Sequence, residues 1–255
     1  MIRILAIAKN TFRETIRDRV LYSLLFFGLL VIVISLVTQE VTIGDADKVV
    51  RSIALGAIRV FGSVFAIFLG IGLVYKELER KTIYTIASKP IPRWMFILGK
   101  YLGLMAVIAV QLGAMTLIFA IAVGLQQGLP GWEVWLSLLL LYAELALLTA
   151  WALLFSAYSS PVVASLFSGS ILIIGNLADD VRTFGQAAES ESMRQLSEVV
   201  YWVLPNFSVF NVSDLAIHGL PIPTERVLWA LVYGLGYTVA VLAASTLVFS
   251  RRDFK

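Results

Sequence analysis

Two ionisable side chains interrupt long apolar runs. Glu144 lies within residues 132–158 and Arg59 within residues 52–75. A charge at the centre of a membrane helix costs about 2.5–3.5 kcal/mol on insertion scales and by default marks a functional position. Counted inward from the ends of their runs, the two differ in depth by roughly five residues, or about 8 Å of helix rise, which an arginine side chain can bridge. Three readings stay open: a polar site on a transport path, a structural ion pair, or an arginine beside a neutral Glu144. Gln111, Asn176, Asp179 and Asp180 are further candidates for lining a polar path.

A second group of charges is sequential. Residues 76–100, KELERKTIYTIASKPIPRWMFILGK, carry six of the twenty Lys and Arg residues between two apolar runs. Glu77 and Lys81 have the i,i+4 spacing and order that favour a helix. Pro90 and Pro92 push Lys89 and Ile91 into extended backbone and stop that helix sharply. A short rigid charged helix joined to two spans can transmit a rotation, which a slack loop could not.

Other chemistry is excluded. Gly99-Lys100 is followed by Tyr101, and Trp94 stands where the first glycine of a G-x-x-x-x-G-K-[ST] phosphate loop belongs, so the chain does not bind ATP by that route. His218 is the single histidine and reads as a loop residue. There is no H-E-x-x-H, no G-x-S-x-G and no cysteine, which removes zinc-protease, serine-hydrolase, disulfide and thiolate-metal chemistry. No nucleophile–base set stands out, so the chain is read as non-catalytic, with no bound cofactor, no metal and no nucleic-acid partner.

The elements that must position these residues are membrane helices. The 255 residues are 59% hydrophobic and 15% charged, with a mean hydropathy of +0.88. The soluble average is about 25% charged, so a soluble domain is excluded and the lipid bilayer is the solvent. The expected fold is a single all-α permease domain over residues 1–255. An amphipathic helix at 2–19 places Leu5, Ala8, Phe12 and Ile16 on one face and Lys9, Arg13 and Arg17 on another, a pattern suited to lying in the headgroup region. Six spans follow at about 20–38, 52–75, 94–125, 132–158, 162–178 and 227–250. The third is long, roughly 48 Å, so it must tilt or stand partly outside the membrane. Trp132 and Trp135 read as interfacial anchors of the fourth. Residues 179–226 form an external loop with one amphipathic helix carrying Met193, Leu196, Val200 and Val203, and a second over 213–218, together a hairpin against the membrane. No cleavable signal peptide is visible at the N-terminus.

Six spans put both ends on one side. Fourteen Lys and Arg lie on the side of the two termini and the 76–100 stretch, and five on the other. The positive-inside rule makes the first side cytoplasmic. Small residues recur every fourth position at Gly62, Ala66 and Gly70, at Gly99 and Gly103, at Ser165 and Gly169, and at Gly236, Ala240 and Ala244, which lets helices pack closely.

Within residues 76–100, Glu77, Glu79, Thr82, Ile86, Ser88, Pro90, Ile91, Arg93, Gly99 and Lys100 resemble the loop after the second span of ABC type-2 transporter permeases, with Lys81 where a glycine is common. The resemblance extends over the chain in its N-terminal helix, six spans and external hairpin. It implies a membrane subunit of an ATP-binding cassette exporter in the cytoplasmic (inner) membrane. Two permease copies, as a homodimer, would form the path. Separate ATPase subunits would carry ATP and Mg, and a periplasmic accessory protein is a further partner. It also implies that Lys76, Glu77, Glu79, Arg80, Lys81, Thr82, Ile86, Ser88, Pro90 and Arg93 belong to a coupling helix that docks on the ATPase. The rival reading is an ion-coupled secondary transporter using Glu144 and Arg59.

Overall fold

The computed structural model describes residues 2–37, 46–79, 92–128, 130–188 and 190–251. Their regular structure is entirely helical: α1 (Ile2–Thr15), α2 (Arg19–Val37), α3 (Ala46–Glu79), α4 (Arg93–Gln127), α5 (Trp132–Tyr158), α6 (Pro161–Asn176), α7 (Ala178–Ala187), α8 (Glu191–Val203), α9 (Ser213–Ile217) and α10 (Thr224–Arg251), with a 3₁₀ turn at Ser208–Phe210. This is what an apolar chain must do in lipid, where every backbone polar group has to be satisfied within the segment. Among the described residues, α3, α4, α5 and α10 are each long and apolar enough to cross a membrane, and α6 with α7 makes a fifth if the bent pair is one span. Helix α2 is uncharged and largely apolar after Arg19, and its described side chains cover Tyr22–Ile34.

The helices pair through residues that lack side-chain bulk. Helices α3 and α5 run parallel, with Gly62 against Leu145 and Gly70 against Ala152. A Cβ on Gly70 would lie 2.5 Å from the Ala152 Cβ and 3.3 Å from the Thr149 carbonyl oxygen. Around this seam Ile58, Phe65, Leu145 and Leu148 are fully buried. Gly99 and Gly103 of α4 meet α1: a Cβ on Gly103 would lie 2.6 Å from the Ala8 carbonyl oxygen, and one on Gly99 2.8 Å from the Ile7 Cβ. By contrast a Cβ on Gly169 or Gly236 would meet nothing within 4 Å among the described residues, so these two glycines are not points of close helix approach there.

Three expectations change. First, α1 packs on α4 through a polar strip as well as presenting apolar side chains outward. It turns Thr11 and Thr15 inward onto α4, and Leu5 is 64% exposed. The reason is local: a helix packed on two glycines is oriented by backbone approach, and small residues such as Ala8 and Thr11 fit there where leucine does not. Second, the fifth span is not straight to 178; α6 ends at Asn176 and α7 leaves at 60°. Third, the helix that pairs with Glu191–Val203 as a hairpin is α7, not 213–218. Gly185 lets the two cross against Ser197, and the Arg182 guanidinium lies 4.4 Å from the Tyr201 ring centroid, a cation–π contact. Residues 178–187, with two aspartates and an arginine, carry too short an amphipathic pattern to stand out beside an apolar span.

The two ends of the bundle differ. At one end α1, the start of α4, the end of α5 and the end of α10 come together. At the other lie the α7–α8 hairpin and residues 204–222, of which Phe207, Phe210, Val212 and Ala216 are buried among the spans. At 1.5 Å rise per residue, the 34 residues of α3 and 35 of α4 are each about 50 Å long, well beyond a hydrocarbon core of about 30 Å. Exposed Trp132 and Trp135 open α5 at the hairpin end.

The α3–α5 seam gives a matched test on one helix. Gly70→Ala is expected to lower the melting temperature in detergent, because the added methyl meets Ala152. Gly72→Ala, with nothing within 4 Å, is expected to leave it unchanged or raise it, as Ala is the better helix former by roughly 1 kcal/mol. Equal shifts for the two would reject the seam.

Candidate functional site

The two charges that interrupt the spans meet. Helix α3 carries Arg59 and α5 carries Glu144, and because these helices run parallel the side chains face one another across the seam. Arg59 Nη2 donates to Glu144 Oε2 at 2.7 Å and to Asn176 Oδ1 at 3.1 Å. Asn176 Nδ2 donates in turn to the Leu172 carbonyl at 2.8 Å, which fixes the amide with its oxygen toward the arginine. Three helices are thereby joined by one guanidinium. Glu144 is 1% exposed and Arg59 18%. At that burial a charge-assisted pair close to 2.7 Å is among the strong hydrogen bonds, and loss of either partner strands the other.

Glu144 Oε1 makes no hydrogen bond among the described residues. Beside it Arg59, Ser137, Phe210 and Ser213 line a cavity of about 10 Å³, room for about one water. A comparable cavity, about 10 Å³, lies at the opposite end beside Lys100, Leu153 and Phe249. Neither admits a solute. The polar centre is a joint between helices, capped at the hairpin end by Phe210 and Ser213.

The remaining path candidates separate. Asp179 accepts from Asn206 Nδ2 at 2.8 Å and from the Ser208 hydroxyl, and it does not join the triad. Asp180 is exposed at the start of α7. Gln111 is buried on α4, with both amide atoms unpaired among the described residues. The Asp179 cluster belongs to a clasp that holds the loop after α8 onto the bundle. Phe207 N donates to the Gly175 carbonyl at 2.8 Å, Asn206 N donates to the Tyr233 hydroxyl at 2.8 Å, and the Tyr237 hydroxyl donates to the Val203 carbonyl at 2.9 Å. Only glycine fits at 175, where a Cβ would lie 2.6 Å from both Pro205 O and Phe207 Cδ2. The clasp residues Asn206, Ser208, Tyr233 and Tyr237 were not legible in advance. Their one sequence signal is a polar cluster, Asn206-Phe207-Ser208, directly after Pro205.

Of the coupling residues, Lys76, Glu77 and Glu79 form the last turn of α3, which runs unbroken from the span. Arg80, Lys81, Thr82, Ile86, Ser88 and Pro90 lie outside the described residues. Arg93 opens α4, and its Nη1 donates to the Phe249 and Ser250 carbonyls at the end of α10.

With this geometry in place, the chain matches the family model described as ABC-2 family transporter protein over residues 5–254. The chain belongs to the ABC-2 transporter family. It is a multi-pass membrane protein and an ABC permease subunit, of a family that acts as the membrane component of transport and partners with an ABC ATPase subunit. No curated protein matches it. The family match does not favour the ion-coupled alternative.

A double-mutant cycle tests the joint. Arg59→Met or Glu144→Met alone is expected to destabilise the permease by about 3–5 kcal/mol, and the double variant by clearly less than either. Denaturation in mixed micelles measures it. Additive losses would show that the two residues do not act as a pair.

Proposed function

We propose that the protein is the permease half of an ATP-driven exporter, working as a homodimer with two ATPase subunits at the end of the bundle that holds α1. What carries the reading is the family match over 5–254. The described geometry supports it. Helices α3 and α4 are long enough to stand about 20 Å beyond the hydrocarbon core, so the 80–91 loop between them would meet a partner away from the lipid surface. Lys76–Pro90 would supply the docking segment, beginning as a continuation of α3. ATP and Mg would be bound by the partner.

The path would lie between two copies. Among the described residues, α2, α6 and α10 expose large apolar side chains such as Phe26, Leu166 and Val232, which a second copy could cover. A six-span topology, with α2 as the first crossing and α6 as the fifth, would put the basic α1 end on the cytoplasmic side of the inner membrane by the positive-inside rule. The α7–α8 hairpin would face outward, where a periplasmic accessory protein could reach it. During transport the Arg59–Glu144–Asn176 joint would keep α3, α5 and α6 moving together.

Two experiments test the reading. A tag on this chain is expected to co-purify a subunit with a phosphate loop, and Glu77→Lys or Glu79→Lys is expected to abolish its stimulated ATPase activity while the permease still inserts. Full activity in those variants would remove the coupling role. Separately, Trp202→Cys is expected to react with a membrane-impermeant maleimide added to intact cells. The chain has no native cysteine, so labelling only after lysis would reverse the orientation.

A further inference from the structure

Arg93 belongs to the loop-side motif, yet its side chain is engaged within the permease. We propose that Arg93 is a positioning residue that makes the end of α10 follow the start of α4, so that a push on the loop reaches α10 as well as the two helices that bound the loop. The proposal rests on the ATP-coupled reading above.

The contact is specific. The last carbonyls of a helix have no partner within it, and they carry the negative end of the helix dipole. In α10 two of them, Phe249 O and Ser250 O, accept from one nitrogen, Arg93 Nη1, at 2.8 and 2.7 Å. A cation placed on two backbone oxygens fixes the helix end itself and does not depend on a side-chain rotamer of α10. One turn further along α4, Phe96 stacks on Phe249 with ring centroids 5.9 Å apart. Ile97 and Ala157, the latter from α5, complete a small buried cluster with these rings, separate from the main core. The polar clamp and the ring stack therefore hold the same two helix ends.

What α10 does with that hold follows from its packing. It lies along α5 far more extensively than against α4, and Ala230, Val241 and Ser245 are buried on its inner side. Helix α5 carries Glu144 and hence the joint to α3 and α6. A displacement delivered only through the covalent ends of the loop would act on α3 and α4. Arg93 adds α10 as a third helix on the same side, while α3 reaches α5 directly through the Arg59–Glu144 pair.

The test uses the permease with its co-purified ATPase, reconstituted in lipid. Leu102 on α4 and Leu247 on α10 are both exposed, and in a chain without cysteine a nitroxide on Leu102→Cys or Leu247→Cys reports one site. Spectra are compared without nucleotide and with ATP and vanadate. With Arg93 present, both sites are expected to change. Arg93→Ala is expected to keep the change at 102 and lose it at 247, and Arg93→Lys to restore it, at least in part. A retained change at 247 in Arg93→Ala overturns the proposal. Should Arg93→Ala fail to assemble, Arg93→Gln carries the same comparison, and an undiminished response at 247 again overturns it. Silence at both sites with Arg93 present fails the ATP-coupled reading itself and the proposal with it, a result distinct from loss at 247 alone.

Discussion

Placing a glutamate and an arginine at membrane depth is tolerable only if each neutralises the other, and much of the bundle's arrangement follows from that condition. The pair requires α3 and α5 to lie parallel and close. Gly62 and Gly70 provide the closeness on either side of it, against Leu145 and Ala152. The second acceptor for Arg59 is Asn176, so the end of α6 is drawn to the same point. There α6 stops, and the chain turns by 60° into α7. The residue before the turn, Gly175, accepts the amide of Phe207, and the clasp brings Phe210 and Ser213 over the pair. One buried charge pair thus sets three helices and the cover above them.

The opposite end uses different means. Close approach is again made by glycines, here Gly99 and Gly103 beneath α1, but the polar fixing falls on backbone, through Arg93 and the terminal carbonyls of α10. The hairpin end is held by side-chain and backbone hydrogen bonds around Asn206 and Asp179. The loop end is held by a cation on a helix terminus and a stacked pair of rings. A moving machine built this way has a stiff middle, where separating charges in low dielectric is costly, and two ends joined by weaker, more exposed contacts.

The exposed apolar surface has a consistent meaning in this setting. Large side chains on α2, α6 and α10 face outward because bilayer or another chain is their solvent. A Cβ on Gly169 or Gly236 would meet nothing within 4 Å among the described residues, whereas one on Gly62, Gly70, Gly99 or Gly103 would meet a neighbouring helix. A row of small residues says that a helix can be approached closely; it does not say by which helix.

The amino-acid sequence by itself determined the membrane class, the all-helical fold and the candidate pair Arg59–Glu144. Those signals are local or one-dimensional: hydropathy over about 20 residues, and a charge where charge is expensive. It also excluded the chemistries that need His, Cys or a phosphate loop. Three matters were decided only by tertiary structure. Asn176 joined the pair while Asp179, Asp180 and Gln111 did not, because membership depends on where the α6 helix ends in space. The helix α1 turned Thr11 and Thr15 inward, because packing on two glycines selects small residues over the most apolar face. Arg93 reached α10, 156 residues away along the chain, because a helix terminus offers bare carbonyls to whichever cation the fold brings near, and no periodicity in the sequence records that meeting.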